Sequence, residues 1–233
     1  MAQATQHAMQ TEAQSAERGA KAGDEPGVVR ACWSCRGPVP AIELFCKTCE
    51  ALQAPIARDH FQRLDLKRAY DVDLERLDHS YFRYQRLLHP DRFATKSAKE
   101  RAISLQHATD VNEAYEVLRD PLRRAEYLLS LAGLVINSGE QTINDLELLT
   151  DSMERREALA EANGAAKVDE IIAVAASDIA SCRTDIAIAF ANQNIDAAAS
   201  LTTRLKYLQK LAAEARSARA RYGAAPLTAT PGS

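Results

Sequence analysis

The sequence predicts an all-α chain: four helices, then an antiparallel three-helix bundle, all preceded by a small four-cysteine module. Three observations predict it. From residue 59 to about 221, apolar residues recur at alternating 3 and 4 spacing, the period of an amphipathic helix. Gly and Pro are scarce inside those stretches and mark the breaks between them. Ahead of them stand two CxxC pairs, Cys32/Cys35 and Cys46/Cys49, and no alternating strand pattern competes with the helices.

The elements follow in order. Residues 1–30 are rich in Ala, Gln, Thr and Gly, carry acids as well as bases and contain no apolar core; they read as a disordered leader, neither a secretory signal nor a basic presequence. Residues 31–52 form the cysteine module. Residues 59–133 hold four helices. A short one at "DHFQRL" is capped by Asp59. A second runs from about Asp73 to Leu88, with Leu74, Leu77, Tyr81, Tyr84 and Leu88 on one stripe. A third runs from about Ser97 to Leu118, with Ala108, Val111, Tyr115 and Leu118 on one face. The fourth opens at Asp120-Pro121, an N-cap followed by proline at the first helical position, and closes at Gly133.

The loop "VINSGEQT", residues 135–142, separates these from the bundle, residues 143–221. The first bundle helix has Asn144 and Glu147 in capping-box spacing and closes at Asn163-Gly164. The second carries Val168, Ile171, Ala175, Ile179, Cys182, Ile186 and Phe190; the third carries Leu201, Leu205, Leu208 and Ala212. Long amphipathic helices with short connections pack antiparallel. Cys182, on that stripe, reads as a small core residue. Residues 222–233 have no periodicity and read as a disordered tail.

Composition limits the function. Lys and Arg number 29 against 32 Asp and Glu, a net charge of −3, which argues against covering a phosphate backbone. No apolar run approaches the length of a bilayer span. The expectation is a cytoplasmic protein, with the mitochondrial matrix as the alternative.

Each CxxC pair places two thiolates on one tight turn, and two such turns complete a tetrahedral site for structural zinc. Gly37, Pro38 and Pro40 suit a chain reversal between the pairs. A redox dithiol or a pair of disulfides is the rival reading, disfavoured in a reducing compartment. A closed site of Cys32, Cys35, Cys46 and Cys49 leaves no open position for catalysis, so its expected role is folding the segment and docking it near the helices.

"LLHPDRF" ends the second helix. Stopping it requires only Pro90, because the residue before a proline is pushed out of helical geometry. Asp91 and the cationic side of the preceding helix, Arg76, Arg83 and Arg86, go beyond that requirement. A lone arginine there reads best as part of a solvated face; the combination suits docking on an acidic partner, with Asp91 engaging a basic group. His89 has no nucleophile or metal-ligand spacing nearby, so a catalytic role has little support.

"YQRLLHPDRF" followed by "VNEAYEVLRDPLRRAEYLLSLAG" resembles a J-domain, specifically that of the HscB-type iron–sulfur co-chaperones, and "CWSC…FCKTCEALQAP" resembles the form with an N-terminal zinc module. The resemblance covers 59 to about 212. It implies a non-enzymatic co-chaperone that stimulates the ATPase of a 70-kDa heat-shock (DnaK/HscA-type) chaperone, with His89, Pro90 and Asp91 as the stimulating loop and Arg86 at a basic family position. Arg83 and Arg76 are added from geometry alone. It also implies that the bundle binds an IscU-type iron–sulfur scaffold protein through Leu149, Thr150, Met153, Glu154, Glu157 and Glu161, with Tyr207 from the last helix.

From spacing alone, Leu149 and Met153 form an apolar ridge beside an acidic stripe, and bundle core plus solvated face explains the same residues equally well. Thr150 departs from the longer apolar residue usual in the family. The expected partners are the chaperone and the scaffold, with no nucleic acid and no membrane, and the chain a monomer or weak homodimer. The alternative function is a J-domain adaptor for a different client, with the bundle as a structural arm.

Overall fold

The computed structural model describes residues 28–134 and 146–223, with the side chains of 146–149 and 223 left undescribed. The expected leader up to residue 27, the 135–142 loop, the Asn144/Glu147 capping box and the tail from 224 lie outside the described residues. The chain forms two compact units. Among the described residues, one comprises 28–67 together with 74–116; the other comprises 68–73, 117–134 and 146–223. No helix among the described residues is long and apolar enough to cross a membrane.

The first unit opens with a feature absent from the sequence reading. β1 (Val29–Ala31) pairs antiparallel with β2 (Pro38–Pro40), Arg30 facing Val39. β1 therefore begins inside the stretch assigned to the leader. Three-residue strands are too short to display a period of two, and prolines at both ends of β2 mask it further. A bridge between Phe45 and Leu52 closes the second half of the module.

α1 (His60–Arg63) has the expected cap in full: Gln62 N donates to Asp59 Oδ1 at 2.8 Å, and Asp59 N donates to Gln62 Oε1 at 3.0 Å. α2 (Leu74–Leu88) buries Leu77, Ser80 and Leu88, with Tyr81 and Tyr84 half-buried. Leu74, placed on the stripe by its spacing, is 47% exposed, because it opens the helix. α3 (Ala98–Arg119) buries Ile103, Ser104, His107, Val111, Ala114 and Leu118. Ala108 and Tyr115 are only half-buried, so the true face is rotated from the predicted one. Two polar residues, Ser104 and His107, hold core positions that an apolar pattern skips. Tyr115 stacks on Tyr81 at 3.9 Å between centroids and donates to Asp78 Oδ1 at 2.8 Å.

In the second unit, α4 (Pro121–Leu131) is capped by Asp120, whose Oδ1 accepts from Arg123 N at 2.8 Å. Its far end is a Schellman closure: Gly133 N donates to Ser130 O at 3.0 Å and Leu134 N to Leu129 O at 2.9 Å. Gly133 has φ +87° and open space around its α-carbon. Gly133→Ala is therefore expected to destabilise by about 1 kcal/mol through backbone conformation alone, read from chemical denaturation. A neutral Ala would show that the closure does not hold α4.

α5 (Leu146–Ala160), α6 (Ala165–Ala191) and α7 (Ile195–Gly223) form the bundle. α6 and α7 run antiparallel. Ala189 lies with Ala198 at one end, and Val168 lies with Ala215 and Ala218 at the other. Cys182 is buried between them and donates to Leu201 O at 3.4 Å, as a core thiol does. Leu159 and Ala162 join the Val168 cluster, so α5 runs parallel to α7. Gly164, expected to close α5, instead opens α6 at φ +105°, because α5 stops at Ala160. α4 packs on α7 through Leu129 against Ala198, which is why it belongs to the second unit.

Candidate functional site

The four cysteines converge. All four sulfurs lie within 4.8 Å of one another, and all are free thiols. Cys32 and Cys49 are 3.7 Å apart, as are Cys35 and Cys46. Four sulfurs at about 2.3 Å from one zinc ion would be separated by about 3.8 Å, so the donor set fits that ion. Disulfides are excluded by the same spacing, since an S–S bond is about 2.05 Å.

The two turns are built alike. Arg36 N donates to Cys32 O at 3.0 Å and Glu50 N to Cys46 O at 2.8 Å; Cys32 N donates to Gly37 O at 2.8 Å and Cys46 N to Ala51 O at 3.1 Å. Each turn ends in a left-handed residue, Arg36 at φ 64° and Glu50 at φ 59°. The sequence reading placed the reversal at Gly37 and the prolines and missed these positions, because neither residue is glycine.

Protons cannot settle evenly on four crowded sulfurs. Burial raises the Cys32 thiol, but hydrogen bonds from Cys35 N and Ser34 N and from its sulfur neighbours outweigh it and bring it down to about 6. At Cys35 the backbone hydrogen bond from Gly37 lowers the thiol, yet the neighbouring sulfurs and burial push it up to about 12. A divalent cation would replace those protons and hold all four thiolates.

The 89–91 loop is built differently, from two buried anchors with an exposed tip. Leu88 and Phe93 are buried, while His89 and Asp91 between them are exposed. Pro90–Phe93 is a single 3₁₀ turn, with Arg92 N donating to His89 O at 3.0 Å. Ser104 Oγ on α3 donates to Leu88 O at 2.7 Å and holds the end of α2. His89 Nδ1 accepts from Asp91 N at 3.3 Å. A nitrogen using its lone pair in this way cannot donate to the Asp91 carboxylate 3.5 Å away, so that carboxylate stays open to a partner.

The three arginines are all exposed on α2, but they are not equivalent. Arg83 pairs with Asp65 and lies 4.6 Å over the Tyr84 ring. Arg76 Nη2 donates to Asp65 O at 3.4 Å. Tyr84 donates to Asp65 Oδ2 at 2.7 Å; burial first, then that bond, pushes its hydroxyl up to about 12. Arg83 and Arg76 thus also tie α2 to the corner after α1, whereas Arg86 stands beside the loop. Phe82, 57% exposed on the same side of α2, was not singled out by the sequence reading.

Thr150, Met153, Glu154 and Glu157 on α5, and Glu161 just past its end, are all exposed, and their spacing puts them on one face. Met153, at 70% exposure, is not bundle core. The side chain of Leu149 lies outside the described residues. Arg156 on α5 pairs with Glu214 on α7 at 3.3 Å. Tyr207 on α7 is half-buried.

A family profile described as the HSCB C-terminal oligomerisation domain matches residues 144–216. The human iron-sulfur cluster co-chaperone protein HscB is 37% identical over 184 residues, covering 77% of this chain and 78% of its own length.

The chain belongs to the HscB co-chaperone family. The Arabidopsis thaliana HscB homologue is 34% identical over 185 residues, covering 78% of this chain and 72% of its own. The crystal structure of human HscB superposes with a TM-score of 0.76 at 34% identity, over 80% of this chain and 97% of that one. Jac1 from Saccharomyces cerevisiae, at 21% identity and a TM-score of 0.54, shares the fold. Within this HscB-family chain, the four cysteines converge, residues 89–91 form one turn between buried anchors, and Thr150, Met153, Glu154, Glu157 and Glu161 are exposed on one face, the side chain of Leu149 being undescribed.

Proposed function

We propose that this HscB-family chain stimulates ATP hydrolysis by a 70-kDa heat-shock chaperone of the DnaK/HscA type and delivers an iron–sulfur scaffold protein to it. The observation that carries the first half is the exposed His89–Asp91 tip fixed between buried Leu88 and Phe93. Its chemistry is that of a docking loop: a rigid turn offers one carboxylate, and Arg86 adds positive charge beside it. The chain supplies geometry, and the chaperone supplies the catalytic groups. Stimulation is read by single-turnover ATP hydrolysis with and without this protein, and no acceleration would overturn the reading.

The α5 face supports the second half. An exposed methionine among Glu154, Glu157 and Glu161 suits a scaffold with an apolar patch rimmed by basic residues. Met153→Ala combined with Glu157→Lys is expected to weaken scaffold binding by about 10- to 30-fold. Stability should hold within about 0.5 kcal/mol, because both side chains are exposed. Isothermal titration checks the first number and denaturation the second. Unchanged affinity would remove this face; no scaffold binding by the unaltered chain would favour a different client. Zinc is the ion proposed for the four thiolates, and the cytoplasm, where thiols stay reduced, is the proposed compartment.

A further inference from the structure

The cysteine module is wired to the end of α2 through three buried polar side chains. Gln53, 2% exposed, directs Nε2 to Cys32 Sγ at 3.4 Å and to Ala51 O at 2.7 Å. Its own carbonyl accepts from Nε2 of His107 at 2.9 Å. A carbonyl only accepts, so His107 carries its proton on Nε2. His107 is itself only 5% exposed. One turn earlier on the same helix, Ser104 holds Leu88 O, the last carbonyl before His89. The path from a metal-binding sulfur to the docking loop thus runs Cys32, Gln53, His107, Ser104, Leu88, each link a buried hydrogen bond or a single turn of α3.

Two further contacts hold the module to the same helix or tie its two halves together. Lys99 Nζ lies 4.5 Å over the Trp33 ring, and Trp33 Nε1 donates to Leu52 O at 2.8 Å. Leu44, Leu88 and His107 also line one small cavity of about 100 Å³.

We infer that Gln53 and His107 are positioning residues that couple occupancy of the four-cysteine site to the order of the His89–Asp91 loop. Outer residues that hydrogen-bond a metal ligand commonly set its orientation. Here the chain of bonds continues past the ligand's neighbour and ends at the loop. Loss of the ion frees the Cys32 turn, lets Cys32 Sγ drift from Gln53 Nε2 and slackens the carbonyl that His107 holds. The buried imidazole then loses its fixed partner, and the α3 turn that carries Ser104 loosens with it. The inference rests on the metal reading above.

Amide hydrogen exchange on the full chain tests it, with zinc bound and after chelation, alongside metal analysis. Chelation is expected to speed exchange about tenfold at 86–93 and 104–107, and to leave 165–220 unchanged. His107→Leu with zinc still bound should reproduce the increase at 86–93. His107→Gln, whose amide can reach the same carbonyl, should restore protection. A chain that binds neither zinc nor cadmium overturns the metal reading and this coupling with it. A chain that binds zinc but shows equal exchange at 86–93 with and without it overturns the coupling alone. The chelation arm needs no variant, so it decides even where His107→Leu fails to fold.

Discussion

Asp91→Ala is expected to abolish stimulation of the chaperone's ATPase while leaving melting within about 2 °C of the unaltered protein. The two halves have separate causes. Asp91 is 90% exposed at its side chain, and the His89 ring nitrogen 3.5 Å from its carboxylate is already taken by the Asp91 N–H. The 3₁₀ turn is made by backbone bonds, Arg92 N to His89 O and Ala94 N to Asp91 O, which an alanine keeps. Folding therefore loses little. Docking loses much, because removing one partner of a charge pair buried at an interface costs about 2–5 kcal/mol, roughly 30- to several-thousand-fold. Single-turnover hydrolysis and thermal melting measure the two halves. Full stimulation by folded Asp91→Ala protein would sink the assignment of the loop.

Cys46→Ser is expected to have the largest effect on the molecule itself. Cys46 is 1% exposed and packs with Cys32, Val39 and Ala51 in the module's own core. With strands of only three residues, that core would rest on a bound ion. In zinc-finger peptides structural zinc binds with an apparent free energy of about 10–16 kcal/mol near neutral pH, and much of it is folding free energy. The unaltered chain should carry close to one zinc, Cys46→Ser close to none, with rapid exchange across 29–53. Cys182→Ser is the control: that thiol is buried in the second unit, and its loss should leave metal content unchanged. Full zinc content in Cys46→Ser would contradict the four-sulfur site.

Most helices were legible because they announce themselves locally. Asp59 with Gln62, Asp120 with Pro121, and Gly133 are signals within one turn of the chain, and each does what its position implies. The α6 and α7 stripes were legible because their core positions are apolar: Val168, Ala175, Cys182, Ile186, Leu205 and Leu208 are buried. Where a core position is polar, the pattern misleads. Ser104 and His107 are buried on α3, and the apolar stripe drawn around them was rotated toward Ala108 and Tyr115.

The candidate sites divide in the same way. The cysteines and the His89–Asp91 loop stood out because their residue types and spacing go beyond local structural need. Spacing leaves Met153 open between core and surface, because its 70% exposure depends on how α5 packs against the distant α7. The ties of Arg76 and Arg83 to Asp65, and of His107 to Gln53, join residues far apart in sequence, and no local pattern carries them.

Capture of the iron–sulfur scaffold by the immobilised chaperone in the presence of ATP reads the proposed bridge between ATPase and client in one assay. The unaltered protein should increase capture. Asp91→Ala should fail to do so while still binding the scaffold in solution, and the Met153→Ala/Glu157→Lys variant should fail while still stimulating hydrolysis. Capture that persists undiminished with either variant would contradict the bridge.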